Sequence, residues 1–190
     1  MIMDQFRICL DKETFKFSAS HFTLFSAVEA ERLHGHNYQV RVATNLTALD
    51  KNGMGFEFNS LKPVIKAATE RWDEHVLIPL ESAHLKIGEE TIRGEPHWIV
   101  DFHNRSYRFP KADVVMLKTG NITSEELARL MTIEIARGWK KDWENQQKEN
   151  AETSPNLATR VLSITVTVEE TRGQGASFTM TSPLTRSELT

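Results

Sequence analysis

The stretch "ERLHGHNYQV", residues 31–40, sets two histidines one residue apart and then alternates polar and apolar side chains. Alternate residues of a strand point to one face, so His34, His36, Tyr38, Val40 and Val42 share a face if the strand begins that early. Neutral imidazole is a common metal ligand, although an isolated His-x-His pair also occurs as plain polar surface. The preceding segment adds to the pair. In "TFKFSASH", residues 14–21, Phe15, Phe17, Ala19 and His21 share parity, and a hairpin or neighbouring strand would bring His21 beside His34 and His36. Three histidines with no fourth protein ligand is the stoichiometry of a catalytic zinc, whose open position takes water or substrate.

Around this centre the chain reads as α+β. Residues 5–10 ("QFRICL") and 14–21, separated by the polar "DKE", have the pattern of a hairpin. A third strand, with a partner expected, precedes the turn signal "DKNG". "FNSLKPVIKAATERW" then predicts a helix capped by Asn59 or Ser60, with Pro63 in its first turn and Leu61, Ile65, Ala68 and Trp72 on its apolar face. A second helix follows a possible capping box of Thr123 and Glu126, with Leu127, Leu130, Met131, Ile135 and Trp139 as its stripe. "RVLSITVTVEE" and "GASFTM" are the last strands. Strands grouped before and after two helices predict a largely antiparallel sheet rather than alternating βαβ units. The whole of 1–190 reads as a single domain with insertions at about 81–118 and 144–157. The first holds a hairpin with arms "HLKIG" and "PHWIVDF", and the second is polar enough for a loop. The tail from Ser182 is expected to fray.

Composition narrows the functional classes. A formal net charge of −3 over 190 residues, with no basic run, offers no track for a nucleic-acid backbone. The single cysteine, Cys9, excludes an internal disulfide and agrees with a reducing compartment; its expected place is a small buried apolar site. No long apolar segment and no signal-peptide pattern occurs, so the expectation is a cytoplasmic protein that does not span a membrane.

"FSASHF" from Phe17, "HGHNY" from His34, "GMGFEF" from Gly53, "TSEEL" from Thr123 and "VEET" from Val168 occur in this order. In order and spacing they resemble the 6-pyruvoyl-tetrahydropterin synthase family, which includes the 6-carboxy-tetrahydropterin synthases. The resemblance implies a tunnelling fold: an antiparallel sheet with two helices on one face, joined between subunits into a barrel, commonly a homo-oligomeric hexamer. It implies a lyase acting on 7,8-dihydroneopterin triphosphate or a close analogue, with His21, His34 and His36 holding Zn2+. By position, Glu170 would anchor the guanidine-like edge of the pterin, since a carboxylate accepts two parallel N–H bonds from such an edge. Thr123, Ser124 and Glu125 match the segment lining the pterin pocket; read by themselves they are a helix cap and first-turn residues.

Two departures bear on the reaction. The family's cysteine a few residues before "HGH" is missing: Ala30 stands at its spacing, flanked by Glu29 and Glu31. A nearby carboxylate, such as Glu31, could take the proton in place of a thiolate if burial raised its pKa. Some relatives use glutamate near this place, and for them cleavage of the side chain to a 6-hydroxymethyl pterin is implied. A pterin-binding paralogue without turnover is a further alternative. The family's Asp–His proton relay has its counterpart in Asp73, Glu74 and His75, with either acid as the partner of the imidazole. His84, His97 and His103 are assigned to surface or local hydrogen bonding.

Overall fold

The computed structural model describes residues 5–149 and 157–189. Its axis is the strand β3 (His34–Leu46), with β1 (Phe6–Leu10) and β2 (Lys16–His21) both antiparallel to it. β1 takes residues 42–46 of β3 and β2 takes residues 34–39, so the two strands follow one another along β3 instead of pairing as the expected hairpin. The reason lies in the connection. A tight turn closed by Phe15 N–H donating to the Lys12 carbonyl (2.9 Å) bends the chain and lets it continue in the same direction. The turn also changes inward parity, from Leu10 to Phe15, Phe17 and Ala19. Cys9 faces outward and is exposed, contrary to its expected burial.

The other edge of β3 pairs antiparallel with β9 (Val161–Thr171), which turns at Gly173 (φ 84°) into β10 (Gln174–Thr181). Beyond β2 come β4 (His75–Pro79) and β8 (Val114–Leu117), both in parallel pairing, giving the order β10-β9-β3-β2-β4-β8. The strand expected to follow and pair with β3 does not form; the "DKNG" turn leads into the first helix instead.

α1 (Lys62–Glu70) and α2 (Ser124–Glu149) cover one face of the sheet, where Tyr38, Val40, Val42, Ile164, Val166 and Val168 are buried. Neither Asn59 nor Ser60 caps α1: Leu61 holds that position, and the Ser60 hydroxyl donates to the Glu57 carbonyl. The box at α2 is one-sided. Thr123 Oγ1 accepts from Glu126 N–H at 3.4 Å, but the Glu126 carboxylate bonds Thr119 and Arg129. Residues 144–149, expected as loop, continue α2, because Glu, Gln and Lys are good helix formers whatever their polarity. The rest of that stretch, 150–156, lies outside the described residues. α3 (Leu157–Arg160) is a single turn before β9.

Within 81–118 the two expected arms pair as β5 (Lys86–Ile92) and β6 (Glu95–Phe102), and a third strand, β7 (Arg105–Pro110), extends them into a meander. Its apolar side joins Phe22, Leu24, Ile78, Val100 and Phe102 in a second cluster, with Phe22 and Tyr107 stacked at 5.5 Å. Through Leu189 the tail is held to the core rather than frayed. Leu184 and Leu189 are buried in the main core, and Lys140 Nζ donates to the Arg186 carbonyl at 2.7 Å.

Phe17 is central to the main core: it stacks on Tyr38 at 4.7 Å and meets Trp72 edge-on at 5.5 Å. Trp72, 1% exposed, closes the end of α1 over β2. Trp72→Ala is expected to cost about 3–5 kcal/mol in urea unfolding; a loss under about 1 kcal/mol would mean that this contact does not hold the helix to the sheet.

Candidate metal centre and active site

The antiparallel register places His21, the last residue of β2, directly opposite His34, and Ala19 opposite His36. All three histidines therefore project from the face that carries the core, at the end of the sheet. Ring centroids lie 4.7 Å apart for His21–His34, 4.8 Å for His34–His36 and 5.5 Å for His21–His36. β9 brings a fourth group. Glu170 takes the next inward position after Ile164, Val166 and Val168, and its Oε1 lies 3.2 Å from Nε2 of both His21 and His36. The Tyr38 hydroxyl donates to the same oxygen at 3.3 Å, and burial together with the Glu170 carboxylate pushes the phenol well above its ordinary range. One ligand atom from each of His21, His34, His36 and Glu170 lies within 4.8 Å of all the others.

These residues fit a divalent metal such as zinc. Neither ring nitrogen of His21 makes a hydrogen bond, despite the 3.2 Å approach to Glu170, and the side chain is 3% exposed. Buried polar atoms of this kind are rarely left without a partner, and a cation supplies one. Burial first, then the neighbouring His34 and His36, lowers the His21 pKa against the pull of Glu170 and Glu31, so the ring is neutral and offers a lone pair. His34 Nδ1 pairs with the Arg32 carbonyl at 2.7 Å, which leaves Nε2 as the nitrogen that would ligate. Glu170, which the resemblance implies as the anchor of the pterin edge, also brings its Oε1 among the metal-type ligands. Its parity with Val166 and Val168 was the available signal.

Glu31 lies at the end of a short loop closed by the bridge Leu24↔Ala30. Its N–H donates to the Thr23 carbonyl (2.9 Å), and its Oε2 accepts from Thr23 N–H (3.1 Å). Burial raises the carboxyl pKa, but the Thr23 hydrogen bonds and the nearby His34 and His21 outweigh it and hold the group below the usual range, contrary to the raised pKa expected of a carboxylate in the thiolate's place. Cys9 cannot stand in for the missing thiol within one chain. It pairs with Ala43, seven residues along β3 from His36, or roughly 23 Å.

The relay residues sit differently from their expected arrangement. His75 is in register with Ala19 on the next strand, roughly 10 Å from His36 across two strand spacings. Its Nδ1 pairs with the main-chain carbonyl of Asp73 at 2.5 Å. The Asp73 carboxylate instead accepts from Ser18 N–H (2.7 Å), and Glu74 is exposed at φ 60°, so neither acid side chain orients the imidazole. A cleft of about 420 Å³ runs from Gly35 and His36 to Glu74 and His75. Thr123 is spent as the cap of α2, whose first turn also holds Ser124 and the exposed Glu125. Thr23 Oγ1 donates to the Ile122 carbonyl (3.0 Å) and so ties this helix start to the end of β2. His84 and His103 are exposed, and His97 pairs with the Glu95 carbonyl.

His36→Ala is expected to bring the zinc content of purified protein close to zero, whereas Glu170→Gln should keep the metal if the three imidazoles suffice. Elemental analysis of the two variants reads this directly, and full zinc in His36→Ala would remove the imidazole trio as the ligand set.

Comparison with known proteins bears on the family and the fold. Residues 10–180 match the family described as 6-pyruvoyl tetrahydropterin synthase. A Pyrococcus abyssi protein named "Putative 6-carboxy-5,6,7,8-tetrahydropterin synthase" is 28% identical over 124 residues, 64% of this chain and 70% of the relative. In structure, 6-pyruvoyl tetrahydropterin synthase from Plasmodium vivax superposes with a TM-score of 0.77 at 23% identity, over 94% of this chain and 99% of that one. A variant of the P. vivax enzyme, described as a catalytic residue mutant in which a glutamate is exchanged for alanine, gives 0.78 at 21% identity over the same shares. The fold is therefore the mixed α+β fold of these enzymes, and the chain belongs to the 6-pyruvoyl tetrahydropterin synthase family.

Proposed function

We propose that the protein is a zinc-dependent pterin enzyme working on the side chain of 7,8-dihydroneopterin triphosphate or a close analogue, with Glu31 in place of the family's thiolate. The observation that carries this reading is the meeting of His21, His34, His36 and Glu170, with the Glu31 carboxylate close enough to His34 and His21 to feel their charge. Zinc held by the three imidazoles would supply Lewis-acid polarisation of the side-chain oxygens next to the ring, lowering the pKa of the hydroxyl and the adjoining carbon acid.

The chain's own groups do the rest. Glu31, ionised at neutral pH and fixed at both its N–H and its carboxylate, accepts a proton from the substrate side chain. His75, its Nδ1 held by the Asp73 carbonyl, has Nε2 available to pass a proton at the far end of the cleft. Glu170 binds the guanidine-like edge of the pterin through its two carboxylate oxygens, and Tyr38 orients it by donating to Oε1. Thr123, Ser124 and Glu125 line the pterin side at the start of α2, where the helix dipole favours an electron-rich substrate edge.

One specific observation favours a second reaction on the same substrate class. The acceptor is a carboxylate and the one thiol is far from the site, which suits carbon–carbon cleavage to a 6-hydroxymethyl pterin as well as triphosphate elimination to a pyruvoyl product, or elimination with loss of a two-carbon fragment to a carboxy product. The reading also takes the protein as a homo-oligomer, a hexamer in the family's manner. The outer edge of β10, which pairs no other strand among the described residues, supports joining of sheets between copies.

Incubation of zinc-loaded protein with 7,8-dihydroneopterin triphosphate, with products identified by mass, decides among these. A pterin product is expected, and its mass separates elimination from cleavage; bound pterin without product would mean a binding protein. Glu31→Gln should lower kcat by about 100-fold or more with zinc retained, while Cys9→Ser should leave it unchanged. Glu170→Gln should act chiefly on KM.

A further inference from the structure

The loop that carries Glu31 is held from outside by the β5–β7 meander, through Arg105. At the first position of β7, Arg105 donates from Nη1 to the Glu31 carbonyl and from Nη2 to the Ala30 carbonyl (3.1 Å). A planar guanidinium on two successive carbonyls fixes the orientation of the intervening peptide, and with it the direction in which the Glu31 side chain leaves the backbone. The guanidinium lies 6.0 Å from the ring centroid of Phe102, so the clamp is itself seated on the meander. The surrounding contacts point the same way. Ala30 and Leu33 from the loop pack into the cluster built by Phe22, Val100 and Phe102. On its other side, Asn121 accepts from Leu24 N–H and donates to the Leu24 carbonyl, both at 2.9 Å, so the far strand of the loop is held as well.

We propose that Arg105 is a positioning residue for Glu31, and that the meander is the rigid platform through which it acts. This rests on Glu31 being the proton acceptor of the reaction. Glu31 is already bonded to Thr23 within its own loop, and the Thr23–Ile122 and Leu24–Asn121 contacts tie the first arm of that loop to the start of α2. Arg105 holds the second arm, at the Glu31 main chain itself, from a separate sheet. Misplacement of a reacting group by about 1 Å costs on the order of 100-fold in rate, so a clamp of this kind acts on kcat and not on substrate affinity.

The test compares zinc-loaded Arg105→Ala, Arg105→Lys, Arg108→Ala and Glu31→Gln on 7,8-dihydroneopterin triphosphate. Arg108, on the same strand, bonds Glu90 and Ser106 and does not touch the loop. Arg105→Ala is expected to lose about 10- to 100-fold in kcat, with KM and zinc content within twofold and faster amide exchange over residues 22–33. Arg105→Lys should recover part of the rate through a single donor, and Arg108→Ala should match the parent in every respect. If Glu31→Gln abolishes turnover while Arg105→Ala retains it, the positioning role is wrong and the base assignment stands. If Glu31→Gln itself turns over normally, the base assignment falls and the inference with it. Loss of zinc or of folding in both Arg105 variants would make the clamp structural and overturn the proposal.

Discussion

The register that sets His21 against His34 is the constraint on which the rest of the site depends. In an antiparallel pair a slip of one residue turns every side chain of a strand to the opposite face. Here it would turn an imidazole out of the cluster and Phe17 out of the core at once. The stacking of Phe17 on Tyr38 and the edge contact with Trp72 therefore hold the metal-type ligands in place from a distance, because core and site lie on the same face of the same strands. The strand whose inner end is packed by α1 and α2 carries the imidazole cluster at its outer end.

Much of this was legible in the sequence because the period of a strand is short and rigid. The shared parity of His34, His36, Tyr38, Val40 and Val42, and of Phe17, Ala19 and His21, is what the structure shows. The pairing of strands was less legible. Nothing in "DKE" distinguishes a reversal from a bend, so β1 and β2 were expected to pair with each other when both pair with β3. Polarity also misled in two places, since it does not forbid helix in residues 144–149, and it hides Leu184 and Leu189 in the tail. The clamp on Glu31 had no sequence signal, because it joins an arginine side chain to main-chain carbonyls about 75 residues away.

The acidic groups around the site show how far partners decide role. Glu31 is held by the amide of Thr23, Asp73 by the amide of Ser18, Glu126 by Thr119 and Arg129, and Glu169 by Arg41 and the amide of Gly173. Asp73, Glu126 and Glu169 thus spend their charge on structure. Among the described residues Glu170, adjacent to Glu169 but on the opposite face of β9, meets Tyr38 and the imidazoles of His21 and His36. Chain position alone would have grouped these residues; strand parity and local donors separate them.

The long pairing between β3 and β9 gives the site an order of assembly. His21, His34 and His36 fall on two strands joined by one short loop, a pairing that closes little chain, whereas β9 must return to β3 from residues as distant as Leu46 and Val161. Loop-closure entropy makes such distant pairings late events in folding. The imidazole part of the centre can thus exist in a partly folded chain that does not yet contain Glu170. A cation captured at that stage would bind the β2–β3 unit before the sheet is complete, and metal supply would then act on folding yield as well as on the finished protein.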